Sequence, residues 1–147
     1  MENQRPLLTI GRRETVSFPD LGLDEIDAKV DTGAYSTALH CQNIELKKSN
    51  GKNLLCFKLL DPSHPEYNEQ LICFESFNQK GVRNSSGDLE MRYVIKTRIK
   101  IGRKIVKTSI SLTDRGSMRY PVLIGRKLLK NRFVVDVTET YLLNRKK

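Results

Sequence analysis

Asp31, Thr32 and Gly33 close a segment in which Ile26, Ala28 and Val30 alternate with Asp27, Lys29 and Asp31. That period of two predicts a half-buried strand, and Gly33 permits a tight turn with close backbone approach. A carboxylate at the end of such a strand, held in a loop of small residues, suits one chemistry well. Two such carboxyl groups brought together cannot both ionise, and a pair sharing one proton can hold and activate water. A lone Asp-Thr-Gly is also an ordinary turn signal, so its meaning depends on the rest of the chain.

Other reactive residue types are sparse. His40 and His64 are the only histidines, and no His-Glu-x-x-His occurs. His40-Cys41 offers two ligands without a third and fourth at suitable spacing, so both read as strand residues and no metal is predicted. No Gly-x-x-x-x-Gly-Lys-Ser/Thr is present, and no cofactor is expected. Cys41, Cys56 and Cys73 are odd in number and lack Cys-x-x-Cys spacing, which predicts buried free thiols in a reducing cytoplasm.

The 147 residues suit one domain, with a core from about residue 7 to 143. Hydrophobic content of 38% and charged content of 29% fit a globular protein. No apolar run approaches the ~18–20 residues of a membrane span. Met1 to Pro6 lacks an apolar signal core, so a cytoplasmic protein without membrane partners is expected. The net charge of +9 favours polyanionic partners, nucleic acid or acidic peptide among them. Few aromatics and no tryptophan argue against a stacking platform for single strands.

The elements that must position Asp31 are short strands. Leu7 to Ile10, Glu14 to Phe18, Leu39 to Leu46, Leu54 to Leu60, Ile95 to Ile101, Ile105 to Leu112, Tyr120 to Ile124 and Phe133 to Val137 all read as β. Asn50-Gly51 and Gly102-Arg103 mark hairpin turns. Leu71 to Phe77 and Met91 to Ile95 flank a polar tip from Gln79 to Asp88, a long hairpin. Arg126 to Lys130 suits one or two helical turns. The class is all-β and barrel-like, with one short C-terminal helix.

Val122-Leu123-Ile124-Gly125-Arg126, followed by a short helix, resembles the C-terminal signature of retropepsins, the homodimeric aspartic proteases of retroviral type. More specifically, the chain resembles a bacterial and archaeal retropepsin-like group that goes by the names RimB-like and ATP-dependent zinc protease. The matching pieces are Lys29 to Ala34, Ser85-Ser86-Gly87, Leu112 to Arg115 with Met118, Pro121 to Arg126 and Phe133 to Asp136. The resemblance implies a closed acid-protease barrel with a flap hairpin, acting as a homodimeric aspartic endopeptidase. It also implies association with the ligase that adds glutamates to a ribosomal protein, and removal of those acidic tails.

By that resemblance Asp31 is the catalytic carboxylate, one from each protomer, with Thr32 bracing the two loops and Gly33 admitting the substrate backbone. Ala34 belongs to the same substrate-binding loop. Lys29 occupies a position that lines a substrate pocket in retropepsins and is usually apolar there; a lysine would favour acidic side chains. Alternatively it reaches solvent or pairs with Asp27 or Glu25. Arg83, Ser85, Ser86 and Gly87 would form the flap tip, or an ordinary mobile hairpin end. Arg126 pairs in retropepsins with an aspartate just after Asp-Thr-Gly-Ala, a place held here by Tyr35-Ser36; Asp114, Asp136 or a substrate carboxylate are its alternatives. Arg115 and Met118 match the family without a derivable role. Two other readings stay open: a non-catalytic module of the same fold that binds acidic peptides, and a basic RNA-associated protein.

Overall fold

The structure, a computed structural model, describes residues 6–83, 86–114 and 120–143. Its strands are β1 (Leu8–Gly11), β2 (Arg13–Phe18), β3 (Leu23–Val30), β4 (Thr37–Ser49), β5 (Lys52–Leu59) and β6 (Leu71–Phe74). They continue as β7 (Asn78–Arg83), β8 (Leu89–Ile101), β9 (Lys104–Thr113), β10 (Val122–Ile124) and β11 (Phe133–Asp136), with one turn of α-helix, α1 (Arg126–Leu129), and a 3-10 turn at Pro19–Leu21. The chain is mostly β, as expected from its alternation and turn residues. Asn50 and Gly51 both adopt positive φ (54° and 79°), the left-handed pair that a two-residue hairpin turn requires.

Strands β10, β3, β2, β8, β9 and β4 are neighbours in that order, and β10 also pairs with β4, so the six return on themselves as a ring. β5 and β6 extend the sheet beyond β4, β7 hangs on β8, and β1 with β11 forms a separate parallel pair. The alternation of each ring strand turns one side-chain set inward. Val16, Ile26, Leu39, Ile99, Ile110 and Ile124 are buried there, and Leu128 of α1 packs with them.

One polar residue sits on the buried face of β2. The Glu14 carboxylate accepts the N–H of Gly11 (2.8 Å), Leu142 (2.9 Å) and Leu143 (3.2 Å), fastening the end of the described chain to its beginning. These three charge-assisted bonds are what make a fully buried carboxylate tolerable.

Two expectations are corrected. The long hairpin is formed by β7 and β8, and Gln79 to Arg83, read as its tip, is strand: Gln79 pairs with Tyr93 and Arg83 with Leu89. Polar composition misled because β7 is a largely exposed edge strand, held by ladder hydrogen bonds and not by burial. Leu71 to Phe74 pairs instead with β5. The second correction concerns the cysteines. Cys56 and Cys73 stand directly opposite each other on β5 and β6 and form a disulfide, while Cys41 is free and buried.

Candidate active site

β3 delivers Asp31, and β10 with α1 holds the loop that follows. The parallel pairing of β3 with β10 continues one residue past the strand, where the Asp31 N–H donates to the Ile124 carbonyl at 2.9 Å. The loop then folds over the start of α1. The Arg126 N–H donates to the Ala34 carbonyl (2.8 Å), the Lys127 N–H to the Tyr35 carbonyl (2.9 Å) and the Gly125 N–H to Thr37 Oγ1 (3.1 Å). Gly125 makes this approach possible: a Cβ there would lie 2.5 Å from the Ser36 carbonyl oxygen and 2.6 Å from that of Tyr35. The two sequence signatures, far apart in the chain, therefore form one structure.

The Arg126 side chain completes it. Its Nη1 donates to the Thr32 carbonyl at 2.8 Å, and the guanidinium lies 5.9 Å from the centre of the Tyr35 ring. Arg126 thus braces the Asp31 loop through a backbone carbonyl. Of the aspartates considered as its partner, Asp136 accepts from the Thr138 N–H and hydroxyl.

The Asp31 carboxylate is half-buried, accepts the Gly33 N–H at 3.0 Å on Oδ1, and borders a cleft of about 800 Å³. The β7–β8 hairpin supplies the opposite wall through Lys80, Val82, Arg83, Glu90 and Arg92. Lys80 Nζ donates to Ser36 Oγ at 3.1 Å and stands 4.9 Å from the Tyr35 ring centre, tying hairpin to loop. Arg83 Nη1 donates to the Gly87 carbonyl at 2.8 Å, and Gly87 takes the positive φ (86°) that turns the hairpin end.

Of the residues singled out from sequence, Asp31, Gly33, Ala34 and Arg83 meet at this cleft. Thr32 is exposed on the same loop, and Ser86 and Gly87 stand at the hairpin end. Lys29 is exposed on β3 between Arg13 and Leu123 and does not line this cleft. Ser85, Arg115 and Met118 lie outside the described residues. Sequence reasoning missed Lys80, Glu90 and Arg92. Their signal was the alternation within β8 and its register with β7, which a tip assigned at Gln79 to Asp88 concealed.

His40 belongs to a separate, buried cluster. Its Nε2 lies 2.7 Å from Asp61 Oδ2 and its Nδ1 lies 3.3 Å from the Thr113 carbonyl. Donation from the Ser63 hydroxyl holds the Asp61 carboxyl well down, at about 2; burial opposes this, and the Ser63 N–H, His40 and His64 reinforce it. Burial pushes the Cys41 thiol up, which suits an inert packing residue. Among the described residues no group of three or more His, Cys, Asp or Glu could hold a metal ion. None of their helices is long and apolar enough to cross a membrane.

Comparison with known proteins agrees with this architecture. The RimB-like family, described as "Retropepsin-like aspartic endopeptidase RimB", matches residues 9–146. A "Probable alpha-L-glutamate ligase" of Shewanella halifaxensis is 34% identical over 138 residues, covering 91% of this chain and 29% of that protein. Another of the same name, from Desulfotalea psychrophila, is 31% identical over 128 residues, covering 86% and 27%. The chain thus spans less than a third of these curated relatives. A crystal structure of a Legionella pneumophila protein of unknown function superposes with a TM-score of 0.71 at 27% identity, covering 93% of this chain and 98% of that one.

Proposed function

Because the chain belongs to the RimB-like family of retropepsin-like aspartic endopeptidases, we propose that two copies join their Asp31 loops to form a peptidase acting on acidic peptide. On this reading the ring of strands is the closed barrel of retropepsins. The candidate substrate is a glutamate-extended tail of a ribosomal protein. The observation that carries the reading is the mounting of Asp31. Its carboxylate borders a cleft, its loop is held from behind by β10 and α1, and a hairpin covers the opposite side.

Each protomer brings one such loop, so a two-fold assembly is needed to pair the carboxyl groups. With a single proton between them, the protonated group polarises the scissile carbonyl and the ionised one takes a proton from water. Thr32, exposed on the loop, would bridge to its counterpart across the two-fold. The hairpin excludes water once peptide is bound. Relatives named as glutamate ligases carry a segment similar to this chain, which supports a substrate rich in glutamate, as does the charge of +9.

The test is cleavage of an oligo-glutamate-tailed peptide by wild type and Asp31→Asn, with sedimentation mass measured in parallel. Wild type should cleave as a dimer, and Asp31→Asn should bind without cleaving. A wild type that binds the peptide and never cleaves it would leave an acidic-peptide module of the same fold.

A further inference from the structure

Across the antiparallel β7–β8 pair, Lys80 stands directly opposite Arg92, and both line the cleft that holds Asp31. Like charges facing each other across two strands repel, so such a pair is unfavourable unless something anionic stands between them. Among the described residues lining this wall Glu90 is the only acid, and it meets Arg92 through Nη2, at 3.3 Å. The Arg92 side chain retains only 11% of its exposure, yet its Nε has no hydrogen-bond partner among the described residues. A buried guanidinium edge without an acceptor is costly, and a carboxylate is the group whose geometry fits that edge. Lys80 is already fixed by Ser36 and Tyr35, so its charge is held beside the same space.

We infer that Lys80 and Arg92 form a carboxylate-binding subsite in the cleft wall, which takes the acidic side chain of a peptide lying beside Asp31. This deepens the peptidase reading and rests on it for the identity of the ligand as peptide. Specificity for glutamate would then reside in the middle of the hairpin, because the two other guanidinium groups near the cleft are engaged, Arg83 on the Gly87 carbonyl and Arg126 on the Thr32 carbonyl. Glu90 would give up its single contact when a substrate carboxylate takes the Arg92 edge.

The probe is fluorescein-labelled hexaglutamate, titrated against Asp31→Asn protein with and without Arg92→Gln or Lys80→Gln. Arg92→Gln should raise Kd about 10- to 100-fold, the loss expected for a charge-assisted hydrogen bond. Arg92→Lys, which keeps a cation in the wall, should recover part of the affinity and keeps the comparison readable where Arg92→Gln folds poorly. A hexaglutamine peptide should respond far less to any of these changes. In the Asp31 enzyme the preference for glutamate over glutamine peptide should fall through KM more than through kcat. Binding of hexaglutamate unchanged within about twofold, or equal weakening of both peptides, would overturn the subsite. Intact glutamate preference in a cleaving Arg92→Gln enzyme would overturn it too, leaving the peptidase reading in place. If wild type cleaves neither peptide while Arg92→Gln still weakens hexaglutamate binding, the subsite stands and the peptidase reading fails.

Discussion

Gly125→Ala should loosen the Asp31 loop without touching any side chain of the cleft. The new Cβ would sit 2.5 Å from the Ser36 carbonyl oxygen, with Tyr35 O at 2.6 Å. Both are backbone atoms and cannot rotate away. Relief requires the loop and the start of α1 to separate by about 1 Å, enough to restore an ordinary contact. That movement strains three hydrogen bonds: Arg126 N–H to Ala34, Lys127 N–H to Tyr35 and Gly125 N–H to Thr37. At about 0.5–1.5 kcal/mol each, their loss amounts to about 2–4 kcal/mol, or a Tm lower by roughly 5–15 °C for a chain of this size. On the proposed peptidase reading, displacing the Asp31 loop by that distance should cost roughly 100-fold in kcat. The control is Gly81→Ala, where the atoms nearest the new Cβ all belong to the exposed side chain of Leu89, the first at 3.1 Å. That side chain can swing aside, so the stability change should stay within about 0.5 kcal/mol. Thermal unfolding of the three proteins decides the matter. A Gly125→Ala protein that melts with wild type would show that α1 does not hold the loop.

Further outcomes can be measured with the same protein. Asp61 is held near 2 in the folded state against 3.8 for an ordinary aspartate. Its contribution is therefore present above about pH 4 and lost as pH falls from there to 2, so the urea midpoint of wild type should drop more steeply over that window than that of Asp61→Asn; parallel curves would refute it. Iodoacetamide applied to denatured, unreduced protein should label Cys41 alone, because Cys56 and Cys73 are joined; triple labelling would exclude the bond. Closing a loop with a sequence separation of 17 should stabilise the fold by about 3 kcal/mol, so Cys73→Ser should lower the urea midpoint accordingly. Glu14→Leu should strand the N–H groups of Gly11, Leu142 and Leu143 and cost about 3 kcal/mol or more, with early proteolytic cutting within residues 139–143 as its signature; unaltered proteolysis would refute the clasp.

Most of the strands were legible because alternation and turn residues agree with burial. Ile26, Ala28 and Val30 marked β3, and Asn50-Gly51 marked the β4–β5 turn. The family resemblance singled out both the Asp31 and the Gly125 segments, but nothing local to either announces that they dock on each other. β7 was misread because an exposed edge strand need not carry apolar residues. Arg92 went unnoticed for a related reason: a cation's burial depends on which strand lies opposite, and that register is not written in the cation's neighbours. The disulfide was hidden in the same way, since cysteines 17 residues apart become partners only once β6 is seen to return beside β5.

The brace between Arg126 and Thr32 joins residues 94 positions apart. A chain still being synthesised, or one clipped before β10, carries the Asp31 triplet with nothing behind it. Such long-range closure is slow to form and late to arrive. On the peptidase reading proposed above, the chain would be harmless to its own surroundings until β10 and α1 have been made and have docked, so the topology would act as a timer on its competence.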